Sequence, residues 1–330
     1  MSQTESPQVS VVVSACGNTR KIRKLLDALA QQTLPTAQFE AVVVDNDRPG
    51  PIRPIQDAIR DGNWPFTVRV LYEPTPGLSA GRNRGICAAR GPYVAITDPD
   101  ITPDPDWLQA LLAAIEEEQV FAVGGRTTVE YPGGQAVTLT QSLRECHGAV
   151  DWPNRREVAV WPYWVTGCNL LFHRQTALDI GLFRTDLGRR GRWMGDCEDL
   201  EFIDRARQAG HTTLIEPDAL VSHPVYRRET TLPYFLRQGA GHGVCVARMH
   251  LSVRVEPAAI QAGRAALHGA CINLAAGWTF LDRSRAVEGA RDLARIGAYH
   301  LERTRLRLRG RRPIALAQLP ATKETTDSWT

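Results

Sequence analysis

Short apolar runs alternate with stretches of helical periodicity along the first third of the chain. Four runs rich in β-branched residues predict buried strands: Val9–Val13, Ala41–Val44, Val68–Tyr72 and Tyr93–Thr97. Apolar residues at helical spacing predict helices over residues 22–29, 80–89 and 107–115. Strands that alternate with helices are typical of βαβ units, so the pattern predicts an α/β fold with a mostly parallel sheet.

The second half of the chain is less regular. Residues 131–164 are rich in Gly, Pro and Trp and predict a long loop. From Leu232 onward the pattern is helical, and the residues after Arg312 are expected to form a flexible tail. Between these parts, the pattern predicts a helix over Asp199–Ala209 and short strands at Leu170–Phe172, Thr212–Ile215 and Ala219–Ser222.

Composition excludes several classes of protein. The 330 residues carry 39 basic and 36 acidic side chains, and a net charge of +3 gives no signal for a nucleic-acid partner. The seven cysteines include no CxxC pair, which favours free thiols in a reducing compartment over a disulfide framework or a zinc ribbon. The longest apolar stretch, residues 265–281, is too short and too polar to predict a membrane span. We therefore expect a cytoplasmic protein, with peripheral contact to the inner face of a membrane as an option.

Two carboxylates follow the predicted strand Tyr93–Thr97. Asp98 and Asp100 together are able to bind a hard divalent cation whose other ligands are phosphate oxygens. The alternative is a turn, because Asp-Pro-Asp is favourable turn sequence and occurs again at Asp104–Asp106. Position favours the metal, because ligands of parallel sheets bind at the carboxyl ends of strands.

Three further features carry candidate chemistry. Small residues at the start of the predicted helix 80–89 permit close approach of a diphosphate, and Arg82 is able to reach a phosphate or an aspartate. A basic helix start that binds no ligand is an equally good interpretation. Glu198 and Asp199 offer a general base, or are ordinary acids at a helix N-terminus. His223 ends a short strand and is either a metal ligand or a structural histidine.

In their order along the chain, these motifs resemble the family 2 glycosyltransferases, which have the GT-A fold. The resemblance covers about residues 8–225, and two positions depart from it: Ser14 and Cys16 stand where the family commonly has Pro and Tyr. Each matching piece is short, and the ordered set is specific: Val9–Val13, Val43–Asn46, Ala80–Gly85, Ile96–Asp100, Gly167–Arg174, Gly181–Phe183, Glu198–Phe202 and Pro217–Ala219, followed by His223.

The resemblance implies a metal-dependent, inverting transfer of a sugar from a nucleoside diphosphate, most often UDP, to an acceptor. Asp98 and Asp100 would be the DXD pair that binds Mg²⁺ or Mn²⁺ and the donor diphosphate, with His223 as a further metal ligand. Asp199 would be the general base, with Glu198 as the alternative. Further residues are implied to contact the nucleotide-sugar: Ser14, Ala15, Asn18, Arg82 and Asp45, the last at the nucleotide base.

The resemblance also implies a division of the chain. Residues 8–230 would form the GT-A catalytic domain, with a nucleotide-sugar half at 8–130 and an acceptor half at 131–230. A mostly helical extension would follow at 231–312 and a flexible tail at 313–330.

The acceptor is open among a glycan, a lipid-linked sugar and a small natural product, because residues 131–164 match no pattern that we can name. Four aromatic residues are candidates for stacking on the acceptor, or are ordinary core residues: Trp161, Tyr163, Trp164 and Trp193.

Two other functions remain as alternatives. A sugar nucleotidyltransferase also uses an α/β sheet and a metal held by aspartates, but its glycine-rich basic loop is poorly matched by Ser14–Lys21. A non-catalytic module that binds sugar-nucleotides is disfavoured by the intact acidic residues.

The basic segment at residues 282–312 has two interpretations. Its ten arginines and interspersed leucines fit an amphipathic helix on an anionic membrane. The preferred interpretation is a helix packed on the catalytic domain, because Gly289, Gly297 and Gly310 interrupt the amphipathic pattern.

Overall fold

One mixed β-sheet organises the computed structural model, which describes residues 6–47, 54–60, 62–132, 139–150, 154–160, 164–252, 267–277 and 282–309. The strands in these residues are β1 (Val9–Ala15), β2 (Phe39–Asp45), β3 (Thr67–Tyr72), β4 (Tyr93–Thr97), β5 (Thr102–Pro103), β6 (Ala122–Glu130), β7 (Glu157–Val158), β8 (Leu170–His173) and β9 (Thr213–Pro224). Their order across the sheet is β3-β2-β1-β4-β8-β6-β9-β5, and β7 pairs with β9. Strands β1 to β4 are parallel, and β8 is antiparallel to both of its neighbours, β4 and β6.

Helices cover both faces of this sheet. The described helices are α1 (Thr19–Leu29), α2 (Pro54–Arg60), α3 (Leu78–Ala88), α4 (Trp107–Glu118), α5 (Gln141–Glu145), α6 (Arg174–Asp179), α7 (Glu198–Gln208), α8 (Leu232–Ser252), α9 (267–277) and α10 (Arg283–Leu308). Every residue of β1 and β2 is buried, which explains their continuous apolar runs. Alternate residues of β1 serve opposite faces: Val11 belongs to the core with Leu25 of α1, and Val12 to the core with Ile86 of α3 and Phe202 of α7.

The predicted elements of the first half are confirmed. All four parallel strands and the helices α1, α3 and α4 are present. Asn18 caps α1, where its Oδ1 atom accepts a hydrogen bond of 3.2 Å from the backbone N–H of Lys21. The α/β class and the helical C-terminal region are therefore as expected.

Two predictions about the second half need correction, and one strand of the first half was not predicted. Residues 131–164 are more than a loop, since they contain α5 and β7. The two short strands predicted between 212 and 222 form one strand, β9, with an irregular register opposite Gly125 and Arg126 of β6. The sequence analysis did not predict β6, because two consecutive glycines, Gly124 and Gly125, are typical of a loop. A Cβ at Gly125 would lie 1.9 Å from the carbonyl oxygen of Ala219, so this glycine is needed for close strand packing.

The C-terminal helices pack through glycines. A Cβ at Gly239 or Gly243 of α8 would lie 2.5 or 2.0 Å from the carbonyl oxygens of Arg291 and Arg295 in α10. The expectation that glycines interrupt α10 is wrong for Gly289 and Gly297, which both lie within the continuous helix, Gly289 against α9. Gly310 lies outside the described residues.

Helix α10 also contacts the part of the chain that precedes α8, because Arg291 donates to the carbonyl oxygen of Ser142 in α5 at 2.9 Å. The packing interpretation of residues 283–308 is therefore confirmed. Leu301 and Leu308 nevertheless remain exposed, and membrane contact through this segment stays a prediction. Among the described helices, none has both the length and the apolar character needed to cross a bilayer. Residues 310–330, including the predicted tail, lie outside the described residues, and the domain boundaries stay predictions.

We expect Gly243→Ala to lower the free energy of unfolding by about 1–3 kcal/mol, the usual cost of overpacking, because the added methyl group meets the α10 backbone. Gly297→Ala is the matched control, since a Cβ there would have no described atom within 4 Å. It should raise stability by up to about 1 kcal/mol through helix propensity. Chemical denaturation followed by circular dichroism measures both. Equal shifts in the two variants would contradict the proposed packing of α8 on α10.

Candidate active site

The carboxyl ends of three adjacent strands bring the predicted donor residues together. β1 lies between β2 and β4, and Ala15 at its end pairs with Asp45 at the end of β2. Asp98 and Asp100 directly follow β4 on the other side of β1. Asn18 stands at the start of α1, in the loop that leaves β1. The sheet therefore gathers at one edge the residues that the sequence analysis assigned to the nucleotide-sugar.

The start of α3 is held close to these strand ends. The side chain of Asn46 donates to the carbonyl oxygens of Glu73 and Thr75 at 3.0 and 2.7 Å and accepts from the N–H of Gly77 at 2.8 Å. Ser14 is buried, and a Cβ at Gly81 would lie 2.1 Å from its Oγ atom. Ser14 thus contacts α3, and Asn46, which was not among the predicted site residues, orders the loop that leads into this helix.

Arg82 of α3 is a buried cation that connects the strand ends to the acid pair. Its side chain is 1% exposed. Nη1 donates to Oε1 of Glu198 at 2.8 Å, and Nη2 donates to Oδ1 of Asp98 at 3.0 Å and to the carbonyl oxygen of Gly167 at 2.8 Å. Burial lowers the pKa of the guanidinium, but the charges of Asp98, Glu198 and Asp199 outweigh burial and raise it. Of the two predicted contacts of Arg82, with a phosphate or with an aspartate of the proposed metal site, the structure contains the contact with an aspartate, Asp98.

Gly167 fits against this guanidinium because it has no side chain. A Cβ at this position would lie 2.6 Å from Nη1 of Arg82. Its N–H also donates to Oδ2 of Asp199 at 2.7 Å. One residue thereby contacts both the arginine and the acid pair. Sequence analysis quoted Gly167 within a matching segment, but gave it no role.

The two acids at the start of α7 have different partners. Glu198 is buried against Arg82, whereas both oxygens of Asp199 accept backbone N–H groups, from Gly167 at 2.7 Å and Leu200 at 2.8 Å. Burial raises the pKa of Glu198 to about 7, with a further contribution from the charge of Asp199 and opposition from Arg82. Burial also raises the pKa of Asp199, against the charge of Arg82. The pair is therefore able to hold and release a proton near neutral pH.

Asp100 lies between a histidine and a lysine. Its Oδ1 atom is 4.0 Å from Nε2 of His223, and its Oδ2 atom is 2.7 Å from Nζ of Lys21. Burial raises the pKa of the Asp100 carboxyl, but the charges of His223 and Lys21 outweigh burial and lower it. Nδ1 of His223 is 2.7 Å from the carbonyl oxygen of His147. Because a carbonyl oxygen only accepts, we infer that Nδ1 donates, which leaves Nε2 as the ring nitrogen on the side of Asp100.

This arrangement fits a divalent cation. Two ligand atoms at about 2.1 Å from one ion are separated by about 3 Å when adjacent and by about 4 Å when opposite. The separation of 4.0 Å between Asp100 and His223 lies at the upper end of that range. Asp98 and Asp100 each have one oxygen paired with a cation, Arg82 and Lys21 respectively, and Asp100 is the stronger ligand candidate because it also approaches His223. Lys21 was missed because no local pattern indicates a contact made across 79 residues.

The acceptor candidates are only partly described. Trp161 and Tyr163 lie outside the described residues, and Trp164 is partly buried. Trp193 is 38% exposed in a tight turn, where it exchanges backbone hydrogen bonds of 2.9 and 3.1 Å with Arg190. The neighbouring carbonyl of Arg189 accepts from the N–H of Leu78 at 2.9 Å, which brings this turn to the start of α3. A role of these side chains in acceptor binding stays a prediction.

The residues that carry most of this geometry also carry a family signature. Residues 10–168 match the family model described as Glycosyl transferase family 2. The chain therefore contains a glycosyl transferase family 2 domain. Its mixed sheet, flanked by helices and followed by a helical region, is the GT-A fold that the resemblance implied. The match favours glycosyl transfer over the nucleotidyltransferase and the non-catalytic alternatives.

Two of the three curated relatives described next have a glycosyltransferase or glucuronosyltransferase activity in their names, and the third is named for succinoglycan biosynthesis. Glycosyltransferase AglE of Haloferax volcanii is 27% identical over 242 residues, which are 71% of this chain and 73% of the relative. The succinoglycan biosynthesis protein ExoM of Rhizobium meliloti is 27% identical over 263 residues, or 76% and 77% of the two chains. The glucosyl-dolichyl phosphate glucuronosyltransferase of Haloferax volcanii is 21% identical over 253 residues, or 69% and 73%.

We expect Arg82→Met to destabilise the glycosyltransferase by about 3–5 kcal/mol, because it leaves Asp98 and Glu198 as uncompensated carboxylates. Arg84→Met is the matched control on the same helix, where the arginine is exposed, and should stay within about 0.5 kcal/mol of wild type. Urea denaturation at neutral pH measures both. If the two variants unfold at the same urea concentration, Arg82 is not the structural connection described above.

Proposed function

We propose that this glycosyltransferase moves a sugar from a UDP-linked donor to a hydroxyl group of a lipid-linked sugar, with a divalent cation and with inversion at the anomeric carbon. The observation that carries the proposal is the network of Arg82, which holds the donor-side Asp98 and the acid pair in one assembly. A donor at the strand ends would thereby have a proton acceptor fixed close to it.

The donor side of the site suits a diphosphate. Asp100 and His223 would hold Mg²⁺ or Mn²⁺, with Asp98 in support. When bound, the ion would supply Lewis-acid neutralisation of the charge that develops on the leaving diphosphate. Lys21 adds a positive charge at 2.7 Å from Asp100, and its ammonium group is placed to contact a phosphate oxygen of the donor. Asp45, at the end of β2, would contact the nucleotide base.

Asp199 is the better candidate for the general base. Glu198 already pairs with a buried arginine and is itself buried, so an acceptor has little access to its carboxylate. Asp199 is partly exposed, and its two backbone hydrogen bonds fix its orientation while leaving lone pairs for a proton. In this assignment Glu198 sets the position of Arg82 and Asp199 takes the proton.

The proposed sugar transfer needs no reactant besides the donor and the acceptor. The acceptor oxygen forms a bond to the anomeric carbon as the bond from that carbon to the diphosphate oxygen breaks. Asp199 removes the proton of the acceptor hydroxyl, and the nucleoside diphosphate leaves with the bonding electrons. Attack from the face opposite the leaving group inverts the anomeric configuration. The transition state resembles an oxocarbenium ion, as in glycoside hydrolysis by carboxylates.

The acceptor class rests on similarity rather than on a contact. One relative has a name that places its activity on a glucosyl-dolichyl phosphate, which supports a lipid-linked sugar as the acceptor here. Glycans and small natural products are the alternatives. Trp164 and Trp193 are the described aromatic side chains that would stack on a sugar ring.

We expect Asp100→Ala to abolish Mn²⁺-dependent binding of UDP while the fold is retained, because Asp100 is partly exposed after β4 and would contribute the main carboxylate ligand. Asp104→Ala is the matched control. It changes the second Asp-Pro-Asp sequence, which forms a turn at the start of α4, where Asp104 accepts from the N–H of Asp106 at 3.2 Å. Calorimetry with UDP, GDP and dTDP, with and without Mn²⁺, measures both variants. Unchanged nucleotide binding in Asp100→Ala would place the metal elsewhere.

We expect Asp199→Asn to reduce turnover by roughly 10²–10⁴-fold with little change in UDP affinity, because it removes the proton acceptor and keeps the shape. Glu198→Gln should instead lower stability, because it weakens the pair with Arg82. Release of UDP from a UDP-sugar in the presence of a lipid-linked acceptor measures turnover. A large loss of turnover in Glu198→Gln, with near-normal turnover in Asp199→Asn, would exchange the two roles.

A further inference from the structure

A second group of metal-ligating side chains lies directly before the acid pair. Nδ1 of His242 in α8 is 2.9 Å from Oδ2 of Asp196 and 3.6 Å from Sγ of Cys197. Sγ of Cys197 is 3.1 Å from Oδ1 of Asp196. Carboxylate, thiol and imidazole thus offer one atom each, all within 4.8 Å of one another. None of these residues belongs to the donor site described above.

The distances suit a tetrahedral ion. Zinc binds thiolate sulfur at about 2.3 Å and histidine nitrogen at about 2.0–2.1 Å, so a sulfur and a nitrogen on one tetrahedral zinc are separated by about 3.6 Å. The distance from Cys197 to His242 is 3.6 Å. The distances to the Asp196 oxygens are 2.9 and 3.1 Å, somewhat shorter than on a metal, and a small outward movement of the carboxylate corrects them.

One face of α8 builds this group. Gln238, His242 and Cys245 follow each other at spacings of four and three residues, so they lie on one face of the helix. Gln238 donates to Oδ2 of Asp196 at 3.3 Å, as an outer partner of a ligating carboxylate would. A Cβ at Gly241 would lie 2.0 Å from the carbonyl oxygen of Met194, so the helix packs directly on this loop. The loop that carries Asp196 and Cys197 is therefore packed against α8, which carries His242.

Without an ion, the Cys197 thiol and Nδ1 of His242 each contact a different oxygen of Asp196, through the thiol proton and a ring proton. Burial raises the pKa of the Cys197 thiol well above its ordinary value, and the charge of Asp196 adds to the effect, so an ion has to displace a tightly held thiol proton. A divalent cation would take the place of these protons, and its charge would compensate both the thiolate and the carboxylate.

We propose that Asp196, Cys197 and His242 bind Zn²⁺ or a similar borderline-soft divalent cation, which fixes the start of α7 to the helical extension. A fourth position would be filled by water. Cys197 has a positive φ of 66° as the residue before α7, a strained conformation that needs support. The ion would hold that conformation and, through it, the orientation of Glu198 and Asp199.

The test uses Co²⁺ as a spectroscopic substitute for Zn²⁺. Metal-stripped full-length protein is titrated with Co²⁺, and the thiolate-to-cobalt charge-transfer absorption in the near ultraviolet is recorded. We expect the band to saturate at about one equivalent, to be lost in Cys197→Ser, and to need at least about tenfold more Co²⁺ in His242→Asn. Zn²⁺ should displace the band and raise the melting temperature of wild type, but not of His242→Asn.

Two controls make the assignment specific. Cys271→Ser removes an exposed thiol of α9 and should leave the band unchanged. Asp100→Ala should also leave it unchanged, because the donor site contains no thiol, and this separates the proposal from the metal dependence of glycosyl transfer. Near-ultraviolet circular dichroism checks the fold of each variant. A wild type without the band at one equivalent, or a band that persists in both Cys197→Ser and His242→Asn, would show a hydrogen-bonded cluster without a metal and overturn the proposal.

Discussion

The rest of the active site depends on one buried guanidinium. The three partners of Arg82, namely Asp98, Gly167 and Glu198, lie 16, 85 and 116 residues away along the chain. Desolvation of a cation costs several kcal/mol unless its hydrogen bonds and counter-charges are in place. The end of β4, the loop before β8 and the start of α7 must therefore assemble together, because the loss of any one partner leaves charge uncompensated in the interior. Arg82 thereby fixes Asp98 and Glu198 together, and Asp199, the proposed base, is the neighbour of Glu198 in the chain.

Close packing of backbone makes this arrangement possible. At Gly81, Gly85 and Gly167 a Cβ would lie 2.1 to 2.6 Å from Ser14, Val12 and Arg82. Helix α3 can therefore lie against the ends of β1 while its arginine reaches past them. A larger residue at Gly81 or Gly85 would push α3 away from β1, and one at Gly167 would displace the guanidinium of Arg82 from its partners.

Local pattern predicted the parallel half of the fold and the strand-end acids, because buried β-branched runs and amphipathic helices leave a signal within a few residues. It missed β6, where Gly124 and Gly125 serve the packing of a distant segment. It also missed Lys21, which meets Asp100 only through the tertiary fold. Sequence could not separate Glu198 from Asp199, since adjacent acids look alike. Their different partners, a buried arginine and two backbone N–H groups, distinguish them only in three dimensions.

The helical extension also influences the pKa of Glu198 and Asp199, through Asp196. Burial is the largest cause of the raised pKa of both Glu198 and Asp199, and the negative charge of Asp196 raises the pKa of each further. Asp196 is in turn held by Gln238 and His242 of α8. The acid pair therefore lies between a cation from the sheet side, which favours its ionised form, and an anion fixed by the extension, which favours its protonated form. Because the two influences oppose each other, a change in α8 alters the proton affinity of the proposed base without touching the donor site.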